Sequence, residues 1–429
     1  MQKIKTTRLR FGGILAALVL LAGLVGCNGG GTTSGQSLPV QSVAGTNPGS
    51  KGTTLPPTAI NSYTALPLPD EMRAMWVSFL EWDSAEIATE PALHSYAATL
   101  FSNCKQLGIN TVIVAVRGFA DAFYQSEVYP WSHLITGTQG QPPGFDPLAI
   151  LVEEAHSHSL RIEAMVNPYR ARHGMYKDVP LAENNPASLH PQWTREVNGT
   201  LWFNPALPEV TQLIVQGVRE IAANYNVDGI QFDDYFYPGG IDESFDAEEY
   251  AAAGGGKSLA DWRRENISGM VRQAYTAIKA ANPTASFGIS PAGNNQNNRD
   301  ASYADVNLWM STPGYVDYIM PQLYWGFNYQ STAGSTAAAF ANKCTEWAGL
   351  PRTESVRLYA GLAAYAVQEG DGSAGDQSEW ASGHILADMV AHLRSTDGFS
   401  GFALFRYAYL YNGSEAAGKE LAALQAVLP

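Results

Sequence analysis

The chain has 429 residues, 26 Lys and Arg against 40 Asp and Glu, a formal net charge of −14 and 45% hydrophobic residues. That acidic balance excludes the basic footprint by which nucleic acid is held, and the hydrophobic content excludes disorder along the whole length. Charged residues make up only 15% and aromatics 11%, and no collagen or heptad period appears.

Residues 1–26 read as an export leader. Lys3, Lys5, Arg8 and Arg10 precede an apolar stretch over 14–25 that is too short to span a membrane comfortably. The stretch ends in Leu24-Val25-Gly26-Cys27, which resembles a bacterial lipoprotein signal. That resemblance implies that Cys27 is lipidated and becomes the new N-terminus; an ordinary signal peptide with a chance Cys is the alternative. Asn28 rather than Asp follows the Cys, which in a Gram-negative cell favours the outer membrane. Without the leader the charge is 22 − 40 = −18. Cys27 then opens a linker over 27–68. Of its 41 residues after the Cys, 27 are Gly, Ser, Thr, Pro or Asn, and Lys51 is the only charge. Such a segment has too little apolar surface to offset its ordering entropy, and reaches about 35 Å as a random coil.

From residue 69 to 429 strand and helix patterns alternate. Short β-branched or aromatic runs recur at 72–78, 111–117, 161–167, 229–234, 286–290, 316–324, 357–362 and 401–407. Between them lie helical periods. Leu93, Tyr96, Ala97, Leu100, Phe101, Cys104 and Leu107 make one stripe that Gly108 terminates. Pro208 starts another, over Val210, Leu213, Ile214, Val218 and Ile221. A last helix covers 414–427. Eight strands with helical crossovers predict an α/β fold, a (β/α)₈ barrel of the TIM type with long loop insertions. A doubly wound open sheet is the alternative, but no Gly-rich phosphate fingerprint follows an early strand. Cys104, on an apolar helix face, is expected to be a buried free thiol; a disulfide, which export permits, is the alternative.

Barrel chemistry sits at the carboxyl ends of the strands. The first strand leaves through Trp76 toward Glu81 and Asp83, the second through Arg117 toward Asp121, the third through Asn167-Pro168-Tyr169-Arg170. The fourth ends in Asp233-Asp234-Tyr235-Phe236-Tyr237-Pro238, and the sixth in Gln322-Leu323-Tyr324-Trp325. Carboxylates, amides, an Arg and aromatic rings on one rim suit a sugar. Rings pack on its C–H face, and forked polar groups bond its hydroxyls.

These stretches resemble the bacterial glycosyl hydrolase-like 10 family of barrel proteins. The resemblance is carried by Met72-Arg73-Ala74-Met75-Trp76-Val77, Val116-Arg117, Pro143-Gly144-Phe145-Asp146-Pro147, Asn167-Pro168-Tyr169-Arg170, the run 227–238, Ile289-Ser290-Pro291 and the run 318–325. It implies a barrel glycosidase without a cofactor, with cell-wall or extracellular glycans as partners. Arg117-Gly118 stands where the family usually has Arg-Pro. Asp228, Gln231, Asp233 and Tyr235 also resemble the acidic strand of chitinase-like barrels, whose inward residues polarise a substrate acetamide. Here Gln stands at 231 and Tyr at 235.

Glycoside cleavage needs an acid for the leaving oxygen and a carboxylate for the developing oxocarbenium ion. Asp233 and Asp234 are the obvious supply. Asp233 is expected to face inward as nucleophile or acetamide orienter, and Asp234 to be the acid or the residue that holds Asp233; alternatively one of them caps the next loop. Trp76, Arg117, Asn167, Tyr169, Arg170, Tyr235, Gln322, Tyr324 and Trp325 are the candidate substrate contacts, Arg117 equally a candidate ion-pair partner of Asp233. Glu163 and Asp317 read as structural, His156 and His158 as solvated. No His or Cys cluster has ligand spacing, so no metal is expected. Ser290 lacks the following Gly of a nucleophile elbow.

The sequence thus points to a lipid-anchored glycosidase acting on an amino-sugar glycan. An α-glucan hydrolase is disfavoured because no Glu ends the fifth strand. A non-catalytic glycan-binding lipoprotein on the same scaffold is the other alternative. If Cys27 is the anchor, Cys27→Ala releases the protein from the membrane fraction with its activity intact. Fractionation checks this, and a mutant that stays in the membrane pellet contradicts it.

Overall fold

A computed structural model describes residues 61–429; Cys27, the expected leader and most of the expected linker lie outside the described residues. Eight parallel strands form: β1 Met72–Val77, β2 Thr111–Arg117, β3 Arg161–Val166, β4 Gly229–Phe232, β5 Ser286–Ile289, β6 Tyr318–Ile319, β7 Arg357–Leu358 continued by Ala360–Ala363, and β8 Gly401–Phe405. Each pairs with its sequence neighbour, and β8 pairs back onto β1 with Met72 opposite Gly401. The ring closes through β7, whose first segment pairs with β6 and whose second pairs with β8. Between those segments the Tyr359 N–H donates to Ile319 O at 2.9 Å. Closure makes this the expected barrel, not an open sheet.

Eight helices follow the strands in turn: α1 Glu90–Gln106, α2 Pro147–Ser157, α3 Pro208–Asn224, α4 Leu259–Ala281, α5 Val306–Ser311, α6 Phe340–Ala348, α7 Ile385–Ser395 and α8 Glu415–Val427. Their starts are written in the sequence. Thr89, Asp146, Ser258 and Ser414 accept backbone N–H groups of the first turns, and Pro147 and Pro208 need no donor there. The predicted stripes of α1 and α3 face the barrel and are buried, except Tyr96, which is half-buried at the edge of the core. Cys104 on α1 and Cys344 on α6 are buried free thiols. Among the described residues, no helix is long and apolar enough to cross a membrane.

The lumen is filled, and not only by hydrocarbon. Trp76 Nε1 donates to Gln231 Oε1 at 2.7 Å, and Gln231 Nε2 donates to the Tyr318 hydroxyl at 2.9 Å. Tyr318 in turn donates to Glu163, which also pairs with Arg161 and accepts from Ser286 Oγ at 3.1 Å. Glu163 is therefore structural, as expected. Asp317 is structural too, accepting from Phe287 N at 2.7 Å and pairing with Lys279.

Two expectations change at the amino-terminal face. The fold does not begin at residue 69: Asn61 N donates to Ala281 O, the Tyr63 hydroxyl and Leu66 N donate to Asp228, and Leu66 O accepts from Arg161. His156 is not merely solvated. Its Nε2 lies 3.1 Å from Asp228 Oδ2, and its ring stacks on Tyr63. Asp228 also accepts from Ile162 N, so the first acid of the chitinase-like pattern is tied up beneath the barrel.

A glycine sets the packing at the centre. A Cβ on Gly288 of β5 would lie 1.9 Å from the Tyr318 ring, whereas one on Gly269 of α4 meets nothing within 4 Å. We expect Gly288→Ala to lower stability by more than about 3 kcal/mol and Gly269→Ala to raise it by about 0.5–1 kcal/mol. Thermal melts of both variants check the contrast.

Candidate active site

The carboxyl end of β4 is the focus of the opposite face. Alternation along β4 turns Gly229 and Gln231 into the lumen, where Gly229 faces Ser286 and Glu163 and Gln231 bonds Trp76. Asp233, two residues on, continues that inner wall just past the strand. It is 3% exposed, and its Oδ2 accepts from Asn167 Nδ2 at 3.1 Å. Asn167, at the exit of β3, also accepts Arg170 N through Oδ1 at 2.9 Å, so one amide fixes both neighbours. Asp234 is half-buried, on the more open side, and shares a hydrogen bond with Gln322.

Burial dominates the electrostatics. Asp233 is pushed up to about 7 by loss of water, opposed by Arg170 and reinforced by the Asp234 charge. Desolvation raises Asp234 as well, with the Gln322 hydrogen bond and Arg170 acting against it. Arg170 is held among rings, 4.4 Å from the centre of Tyr235 and 5.2 and 5.3 Å from Phe119 and Phe79. Such a caged cation acts mainly through its field.

Aromatic surfaces flank the pair. Tyr235 is 38% exposed. Tyr324 and Trp325 are half-buried beyond β6, with Tyr324 stacked on Phe405 at 5.7 Å and Trp325 5.9 Å from Tyr329. Trp76 lies below, 2% exposed and edge-on to Phe405 at 5.8 Å, as a floor held by Gln231. The structure thus gathers Asp233, Asp234, Asn167, Arg170, Tyr235, Gln322, Tyr324 and Trp325 on one rim, with Trp76 beneath.

Two candidates fall outside this group. Arg117 is 1% exposed, lies 4.6 Å from the Tyr129 ring centre and donates to the Tyr129 hydroxyl at 3.0 Å. The register of β2 shifts between Ala115 and Arg117, which turns Arg117 toward Tyr129 and α3 and away from Asp233. Tyr169 is fully buried. The loop after it doubles back into a three-stranded antiparallel sheet of Arg170–Arg172, Thr200–Phe203 and Thr194–Val197, leaving Tyr169 no open face.

The remaining rim acids have other work. Asp83 caps the short helix Ser84–Ile87, and Asp121 accepts from Gln139 and lies 3.1 Å from His133. Glu81 pairs with Arg406 at 2.6 Å and accepts Ala408 N. Phe405, the last residue of β8, and Arg406 just beyond it also reach this rim; only their place at a strand end signals them in the sequence.

Residues 71–382 match the family described as Glycosyl hydrolase-like 10. The chain is 35% identical over 319 residues to Glycosyl hydrolase YngK of Bacillus subtilis (strain 168), a match covering 69% of this chain and 61% of that protein. It is 33% identical over an alignment of 445 residues to Glycosyl hydrolase DigH of Escherichia coli (strain K12), covering 95% and 94%. The PgaB (BpsB) glycoside hydrolase domain from Bordetella bronchiseptica shares the fold with a TM-score of 0.54 at 12% identity, over 83% of this chain and 99% of that one. The catalytic domain of β-amylase from Paenibacillus polymyxa does so with a TM-score of 0.50 at 12% identity, over 86% and 100%.

The raised Asp233 value has a stability consequence. A folded-state value above the ordinary carboxylate 3.8 means that stability is fully present below 3.8 and is lost as pH rises toward 7. At about 1.4 kcal/mol per pH unit, the penalty at pH 8 is of order 4 kcal/mol. Asp233→Asn should therefore melt higher than the parent at pH 8 and nearly with it at pH 4. Melting curves across that range check the convergence.

Proposed function

The chain belongs to the glycosyl hydrolase-like 10 family, and from that premise we propose that it hydrolyses an amino-sugar-containing cell-wall or extracellular glycan, as an exported protein tethered through Cys27. The observation that carries this reading is the adjacent pair Asp233 and Asp234 at the exit of β4, both raised by burial, within a wall of rings. Its relatives YngK and DigH bear the name glycosyl hydrolase.

The chemistry follows from the charge of the pair. Ionising both carboxyls would set two like charges side by side where water is scarce, so near neutrality the pair keeps one proton. Asp234, on the open side, delivers a proton to the leaving oxygen. Asp233, held by Asn167 and by Tyr235 N, stabilises the positive charge that develops on the sugar. It does so directly, or by orienting an acetamide whose oxygen attacks the neighbouring anomeric carbon. Tyr235, Tyr324 and Trp325 supply stacking surface for the sugar rings.

Asp233→Asn and Asp234→Asn are nearly isosteric. At least one should lower turnover by about 10²–10⁴-fold, while glycan affinity falls much less because the aromatic surface is untouched. Steady-state cleavage and calorimetric binding on the same glycan measure the two effects. Parent-like turnover in both variants contradicts the catalytic assignment; a parent that binds glycan without cutting it makes the barrel a binding scaffold.

A further inference from the structure

Ser290 stands at the exit of β5. The parallel register sets Gln231 opposite Gly288, so two residues further on Asp233 and Ser290 are neighbours. The same alternation fixes the direction of the serine side chain. Ser286 reaches Glu163 in the lumen, Gly288 faces the Tyr318 ring, and Ser290 N continues the ladder to Phe232 O at 2.8 Å. The Ser290 side chain is thus the next one up the inner wall.

Its hydroxyl is unusual. Ser290 is 2% exposed, and its Oγ has no hydrogen-bond partner among the described residues. Its neighbours are engaged elsewhere: Asp233 accepts from Asn167, and Gln322 Nε2 donates to the Ser290 carbonyl at 3.1 Å. A buried hydroxyl without a partner carries its full desolvation cost and calls for an explanation. The register of β5 with β6 places Met320 beside Ser290, and Met320 belongs with Trp76 to the apolar cluster of the lumen. The wall therefore combines an unpartnered buried hydroxyl, the Asp233 carboxyl and an apolar surface below.

We propose that Ser290 is a specificity-determining residue whose Oγ hydrogen-bonds the acetamide of an N-acetylated sugar seated over Asp233. An acetamide matches all three features: its oxygen and N–H meet Ser290 and Asp233, and its methyl lies toward Met320 and Trp76. A bare sugar hydroxyl would satisfy Ser290 but leave that apolar surface unused. An ammonium group, as on a de-N-acetylated sugar, would be set against it. The inference rests on the glycosidase reading above and adds to it the residue that selects the substituent.

The test uses the full chain carrying Asp234→Asn to suppress turnover, with and without Ser290→Ala. The ligands are an N-acetylglucosamine tetrasaccharide and its de-N-acetylated counterpart. With Ser290 present the acetylated ligand binds at least about tenfold tighter; Ser290→Ala removes about tenfold of that preference, the size of one hydrogen bond. Affinity for the de-N-acetylated ligand stays the same, and the unliganded Ser290→Ala protein melts no lower, because an unpaired hydroxyl has been removed. Ser290→Cys, closer in shape and a weak donor, shows the same loss should the alanine variant fold poorly. An unchanged preference, or an equal loss for both ligands with a lowered melting temperature, overturns the inference. If the parent cuts only glycans without acetamide groups, this inference fails while the glycosidase reading stands; if it binds and cuts none, both fall.

Discussion

A column of hydrogen-bonded side chains inside the barrel supports everything above it. Arg161, Glu163, Tyr318, Gln231 and Trp76 come from four different strands and satisfy one another where water is excluded. A buried polar group is costly unless paired, so each member dictates the orientation of the next. Tyr318 donates to Glu163 and must then accept from the Gln231 amide; that turns the Gln231 oxygen to Trp76 and fixes the indole as a floor. Asp233 continues the same wall two residues beyond Gln231. The position of the Asp233 carboxyl is thereby set by packing in the lumen, not by the mobile reach of a long side chain.

Above that floor the protein accepts instability. Asp233 and Asp234 are deprived of water beside each other, with Arg170 providing opposite charge from within its ring cage. A caged guanidinium moderates the carboxyls without forming a tight pair with them. Glu81, by contrast, meets Arg406 directly at 2.6 Å, although burial raises its carboxyl as well. The rim thus separates an acid in a direct ion pair from two that meet only neutral donors.

Much of this was legible in the sequence. Strand runs, helix caps and apolar stripes gave the barrel because propensity and periodicity agree with the tertiary structure there. Asp233 could be placed inward because alternation holds along β4. The failures have physical causes. Arg117 follows a shift in register that alternation cannot anticipate. Tyr169 is buried by a sheet formed with residues some 30 positions away, a long-range event with no local signal. Residues 61–68 look like linker by composition, yet a few backbone groups and Tyr63 bind the underside of the barrel. His156 follows from the same omission, since its partners are Tyr63 and Asp228.

The central claim is that water is added across a glycosidic bond at this rim. It is tested most directly by incubating the protein with a defined amino-sugar glycan in ¹⁸O-labelled water and weighing the products by mass spectrometry. The account predicts new reducing ends, each carrying one ¹⁸O atom, formed by the parent and lost when the reactive carboxyl is neutralised. Products lacking the label, or no new ends while the glycan stays bound, would contradict it.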